Sequence, residues 1–123
     1  MAERQARNPL RLRLVFGREA MFGPGKAELL ELIRETGSIS AAGRRMDMSY
    51  KRAWMLVESL NATFRTPLVE SSRGGAGGGG ARLTATGEEV LERFRRLEEV
   101  VRQAGAREVG ALAELLVDMS ERK

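Results

Sequence analysis

Four hydrogen-bonding side chains stand in a row at Ser49, Tyr50, Lys51 and Arg52. A serine two positions from a lysine has the makings of a Ser-Lys dyad, but such a dyad needs both groups converging in a buried site beside an oxyanion hole. A simpler role for Ser49 is to cap a helix that starts at Tyr50. Read as donors and cations, the run suits a polyanion: Lys51 and Arg52 can reach guanine acceptors or phosphate oxygens. The ordinary alternative for both is solvated charge. Tyr50 can donate to a phosphate or pack against the preceding helix.

Gly75, Gly77 and Gly80 match the pattern G-x-G-x-x-G. In a dinucleotide site those glycines lead into a helix, follow a parallel strand and precede a suitably placed acidic residue. Here Ala81, Arg82, Leu83 and Thr84 read as a returning strand, and no Lys-Ser or Lys-Thr follows the glycines. No cofactor is expected. The carboxylate pairs Glu88-Glu89 and Glu98-Glu99 fall on helix faces where solubility accounts for them. The chain has no cysteine and no histidine. It therefore lacks thiolate and imidazole metal ligands, a thiol nucleophile and the usual general base near neutral pH. A non-enzymatic protein is expected.

Charge is unevenly spread. Between Arg44 and Arg82 lie seven basic residues and three acidic ones; from Thr86 onward lie seven basic and nine acidic. The electropositive middle suits a polyanion, and the tail reads as a mixed-charge helical surface. No stretch approaches the roughly 20 apolar residues needed to span a bilayer, and the N-terminus lacks an apolar signal core. A soluble, cytoplasmic protein is expected.

The elements that would position these residues follow from periodicity. Leu10, Leu12, Leu14 and Phe16 alternate with Arg11, Arg13 and Val15 as in a half-buried strand. Residues 26–36 are good helix formers with Leu29, Leu30, Leu32 and Ile33 as an apolar stripe, and Gly37 suits the left-handed position just past the helix end. Ser40 is positioned to cap a helix over Ala41–Met46, and Ser49 one over Tyr50 to about Phe64. With only Asp47 and Met48 between them, the two helices must cross steeply, as in a helix-turn-helix. On the second helix Ala53, Leu56, Val57, Leu60 and Phe64 share one face. Lys51, Met55, Glu58, Ser59 and Ala62 fall opposite, with Arg52 on a flank and Trp54 a quarter-turn from the core. A helix that reads DNA is built this way. Residues 68–71 and 81–84 read as strands of a glycine-tipped hairpin, a wing that would bring Arg73 and Arg82 near phosphate. Thr86 to Glu89 has capping-box form. The helix it opens carries Val90, Phe94, Leu97, Val101 and Ala104 as a seam; Gly105 is expected to interrupt it, and Val109, Leu112, Leu116 and Met119 form a second stripe. Burial of these stripes points to a second subunit, with intrachain packing as the alternative.

The runs ETGSISAA (35–42), MSYKRAW (48–54), PLVE (67–70) and GGAGGGGARLT (74–84) together strongly resemble ModE, a family of molybdate-dependent transcription regulators related to LysR-type proteins. The resemblance covers roughly residues 10–104. It implies a homodimer on a palindromic operator, Ser49, Tyr50, Lys51 and Arg52 opening the recognition helix, and Arg82 and the glycine tip in the wing. Asp47 stands where the family often has glycine, and Gly43 where it often has alanine. The family also implies a molybdate-binding segment opened by a Ser-Ala-Arg-Asn type motif. The sequence in hand ends at Lys123 without one, so the resemblance leaves open whether molybdate or another oxyanion is an effector of these residues.

The expected fold is α+β, mainly α: a winged helix-turn-helix DNA-binding domain over residues 1–85, extended by a helical dimerisation segment over 86–123. The DNA-contacting residues would be Ser49, Tyr50, Lys51, Arg52, Met55, Ser59, Arg73 and Arg82, acting on double-stranded DNA. The competing expectation is a winged helix that acts through protein contacts, as partner or antagonist of a longer regulator.

Overall fold

A computed structural model describes residues 10–75 and 78–117, with the backbone alone described at 73–75 and 78–79. Strands β1 (Leu14–Val15) and β2 (Met21–Phe22) pair antiparallel, with Leu14 opposite Phe22. The strand expected over residues 10–16 is thus much shorter. Leu12 and Leu14 pack against the core, but Phe16 is 68% exposed because the chain turns there, its N–H bonding to the Ala20 carbonyl at 2.7 Å.

Helix α1 (Pro24–Thr36) begins with proline in its first turn, where a missing N–H costs nothing, and ends on Gly37 at φ 72°. The Gly37 N–H closes back on the Ile33 carbonyl at 2.8 Å. Ala27, Leu29, Leu30, Leu32 and Ile33 form its buried face. Helix α2 (Ile39–Arg45) is capped by Ser38, whose hydroxyl accepts the Ala41 N–H at 3.0 Å, and not by Ser40. The earlier start places Ile39, Ala42 and Gly43 on one buried face; Ser40 is left to accept a hydrogen bond from Arg44.

Helix α3 (Tyr50–Thr63) starts at the expected cap, Ser49, which accepts the Arg52 N–H at 3.1 Å. Between α2 and α3 the chain reverses through Asp47 at φ 57°, a left-handed conformation that aspartate tolerates better than most residues. Gly43 has a packing role that helix propensity hides. A Cβ there would sit 2.9 Å from the Ala53 Cβ, so the missing side chain lets α2 and α3 cross closely.

Strands β3 (Val69–Gly75) and β4 (Gly78–Leu83) form the wing, with Val69 opposite Leu83, Glu70 opposite Arg82, and a register shift between Ser72 and Gly75. Asn61 fastens its base to α3. The carboxamide oxygen accepts the N–H groups of Leu68 (2.8 Å) and Val69 (3.1 Å), and its NH2 donates to the Val69 carbonyl (3.1 Å). Ala81 N–H in turn bonds the Gly37 carbonyl at 2.9 Å, fixing β4 to the end of α1.

Helix α4 (Ala85–Glu114) is one continuous element of 30 residues. Its cap is Thr84, not Thr86: the Thr84 hydroxyl accepts the Gly87 N–H at 3.0 Å and donates to the Pro67 carbonyl at 2.7 Å, while Thr86 bonds Thr66. Gly105 does not interrupt the helix. Glycine in a helix interior costs only about 1 kcal/mol, too little to break a run of good helix formers. Gly87, Leu91 and Phe94 are buried, so the first part of the expected seam serves this chain's own core. The Phe94 and Phe64 rings meet Phe22 edge-on at 5.0 and 6.2 Å. Arg95 makes a bidentate pair with Glu31 of α1 (2.9 and 2.8 Å) and reaches Glu98 at 2.8 Å; the hydrogen bonds to Glu31 raise its pKa above the ordinary arginine value. Arg34 and Glu88 add a more exposed pair at 2.9 Å. Val100, Leu112, Leu115 and Leu116 remain exposed; Met119 lies outside the described residues.

The architecture is α+β and mainly helical, a winged helix-turn-helix. Among the described residues no helix is long and apolar enough to cross a membrane.

Two glycines of α4 give opposite expectations. A Cβ at Gly87 would lie 2.2 Å from the Leu68 carbonyl oxygen, which as backbone cannot swing aside, whereas Gly105 has nothing within 4 Å. Gly87→Ala should destabilise by about 2 kcal/mol or more and Gly105→Ala should stabilise by up to about 1 kcal/mol, both read from urea unfolding. Asn61→Ala leaves two buried backbone donors unpaired. It should cost about 2 kcal/mol and raise amide exchange at Leu68 and Val69; unchanged exchange there would show that the carboxamide does not hold the wing.

Candidate nucleic-acid interface

The outward face of α3 is set by what anchors the inward one. Ala53, Val57 and Leu60 are buried, and Leu56 and Phe64 pack partly buried against the same core. That leaves Lys51, Arg52, Met55, Glu58, Ser59 and Ala62 exposed, as the helical periodicity predicts. Trp54 is half-buried at its quarter-turn position, and Tyr50, 60% exposed, stands edge-on to it with ring centroids 6.1 Å apart.

The electrostatics at the start of α3 favour anions. No acidic residue lies in its first turn, so its positive dipole end is not offset by a carboxylate there, and Lys51 and Arg52 add two formal charges. The preceding helix contributes Arg44 and Arg45 in its last turn. Arg45 is engaged by Glu35 at 2.9 Å and Arg44 by the Ser40 hydroxyl at 2.9 Å, both at the surface. Such exposed pairings are weak enough to be exchanged for another anion.

Of the residues singled out from sequence, Ser49, Tyr50, Lys51, Arg52, Met55 and Ser59 all belong to the exposed part of α3 or to its cap. Arg82 lies on β4 and is held across the wing by Glu70 at 3.2 Å, with both side chains largely exposed. Arg73 belongs to β3, and its side chain lies outside the described residues. Asn61 and Gly87, which set the wing and α4 relative to α3, were not picked out from sequence. An asparagine near a helix end and a glycine after a threonine carry no spacing signal; both act through the backbone of Leu68, distant in sequence from neither but unpaired by any periodicity.

Residues 25–88 match the family model described as "Bacterial regulatory helix-turn-helix protein, lysR family". Among curated relatives, the molybdenum-pterin-binding protein MopA of Rhodobacter capsulatus is 42% identical over 82 residues, 67% of this chain and 31% of that protein. The DNA-binding transcriptional dual regulator ModE of Escherichia coli K12 is 36% identical over 81 residues, 66% of this chain and 31% of its own length. The chain thus spans about a third of the length of these relatives. Among solved structures, the CbnR DNA-binding domain in complex with DNA superposes with a TM-score of 0.55 at 27% identity, covering 72% of this chain and 95% of that one. The likeness to ModE is therefore found again in sequence comparison over about two thirds of the chain. With more than half of its length matched by the family model, the chain belongs to the lysR family of bacterial regulatory helix-turn-helix proteins.

Proposed function

We propose that this chain binds double-stranded DNA in a sequence-specific manner and regulates transcription, working as a homodimer in the cytoplasm and catalysing no reaction. The observation that carries the proposal is the outward face of α3, where two cations and the positive helix end stand beside uncharged side chains on a helix-turn-helix. The likeness to a domain solved on DNA supports it.

In this reading phosphate contacts from the start of α3 and from the wing set the register, and the exposed residues of α3 read base edges in the major groove. Residues 1–85 act as the DNA-binding unit and 86–123 as the dimerisation segment. Exposed Leu112 in the last turn of α4, with exposed Leu115 and Leu116 just beyond its end at Glu114, supports the second role, since apolar side chains grouped at the surface gain from a partner. Two α3 helices would then address half-sites one helical turn, about 34 Å, or a multiple of it apart.

Fluorescence anisotropy tests this with the upstream region of the chain's own gene and a scrambled duplex, across a salt series and with and without molybdate. Preferential binding that weakens steeply with salt is expected. A molybdate effect would assign direct oxyanion sensing to these residues. Equal, weak binding to a genomic fragment library as well, together with mixed dimers in pulldowns, would favour the protein-contact role instead. Arg52→Ala should weaken specific binding about tenfold or more with little change in melting temperature, because the side chain is exposed; equal affinity of variant and wild type would remove Arg52 from the interface.

A further inference from the structure

Met55 is the one large apolar side chain on the outward face of α3. It lies roughly 170° around the helix from the centre of the buried face formed by Ala53, Val57 and Leu60. It is 57% exposed, and it stands apart from the core that Met46 and Met48 pack against. Lys51 precedes it by one turn and Ser59 follows by one turn, so the cation, the thioether and the hydroxyl form a single ridge. Ala62, also on this face, and Ser59 are small, which leaves Met55 and Glu58 as the two long side chains of the later turns.

No intrachain packing accounts for that placement. The major groove offers donors and acceptors at every base pair and one apolar group, the thymine 5-methyl. A flexible, polarizable thioether is suited to covering a methyl whose position shifts with local groove geometry.

We infer that Met55 is a specificity-determining residue that reads a thymine methyl in each half-site. The inference rests on the reading of α3 as the helix that enters the major groove, and it deepens that reading from DNA in general to one base at one position. Burying one methyl against Met55 is worth about a fourfold change in affinity per half-site. Glu58, one turn away on the same exposed surface, disfavours phosphate on its side and suits a cytosine amino group, consistent with Met55 facing base edges and not the backbone.

The test begins with selection of bound duplexes from a randomised library by the full chain. The enriched site is then resynthesised with deoxyuridine replacing thymidine one position at a time, which removes only the 5-methyl. The expected result is one thymine per half-site at which uracil weakens wild-type binding about fourfold. In Met55→Ala that penalty should vanish while the remaining sequence preference persists, and the melting temperature should hold because the side chain is outside the core. Equal affinity for thymine and uracil at every position would overturn the inference, as would a penalty that survives unchanged in Met55→Ala. Failure of the wild type to enrich any sequence would instead sink the DNA-reading role of α3 itself, and this inference with it.

Discussion

The backbone of Leu68 is the point on which the arrangement of the molecule depends. Its N–H is taken by Asn61 of α3, its carbonyl accepts the Thr84 N–H at 2.9 Å, and the same carbonyl lies against Gly87 of α4 so closely that no Cβ fits between. The side chain is fully buried. Three elements thus meet on one residue: the last turn of α3, the base of the wing and the first turn of α4. A buried peptide group must be paired, and here its pairing also fixes geometry. Shift any one of the three and a buried donor or acceptor is left open, or two backbones collide.

A second close approach does the same for the helix-turn-helix. Gly43 lets α2 settle on Ala53 of α3, and Asp47 turns the chain between them in a left-handed conformation. The sum of these constraints is that α3 has little freedom of rotation about its own axis. Its buried stripe packs against α2 and into the common core, so the side chains offered to solvent are set by packing on the other side. Surface chemistry on α3 is in this sense a property of the core.

Much of this was legible in the sequence because it rests on local rules. The left-handed residue after α1, the Ser49 cap, the periodicity of α3 and the glycine-tipped hairpin each need only a short window. Where the reading failed, two local solutions were nearly equal and a distant contact chose. Ser38 and Ser40 are both good caps, but burial of Ile39 requires the earlier start. Thr84 and Thr86 are likewise both good caps; Thr84 wins because its hydroxyl also reaches Pro67, while Thr86 is engaged by Thr66. Gly105 looked like a boundary because propensity alone cannot show that its neighbours outvote it. Phe16 looked inward by alternation, yet the reversal toward β2 comes first.

Phe94 is the last buried residue of α4, and the helix continues for another 20 residues to Glu114. At 1.5 Å per residue that reach is about 30 Å, so the distal part acts as a lever arm whose fulcrum is the Arg95–Glu31 pair and the Phe22–Phe94 contact. A tilt of about 10° at the base would carry the tip roughly 5 Å by simple proportion to that length. Whatever holds the far end therefore feels small changes in packing near α1 as large displacements, and the stiffness of the Phe22–Phe94 contact and the Arg95–Glu31 pair sets how firmly that end is held relative to α1.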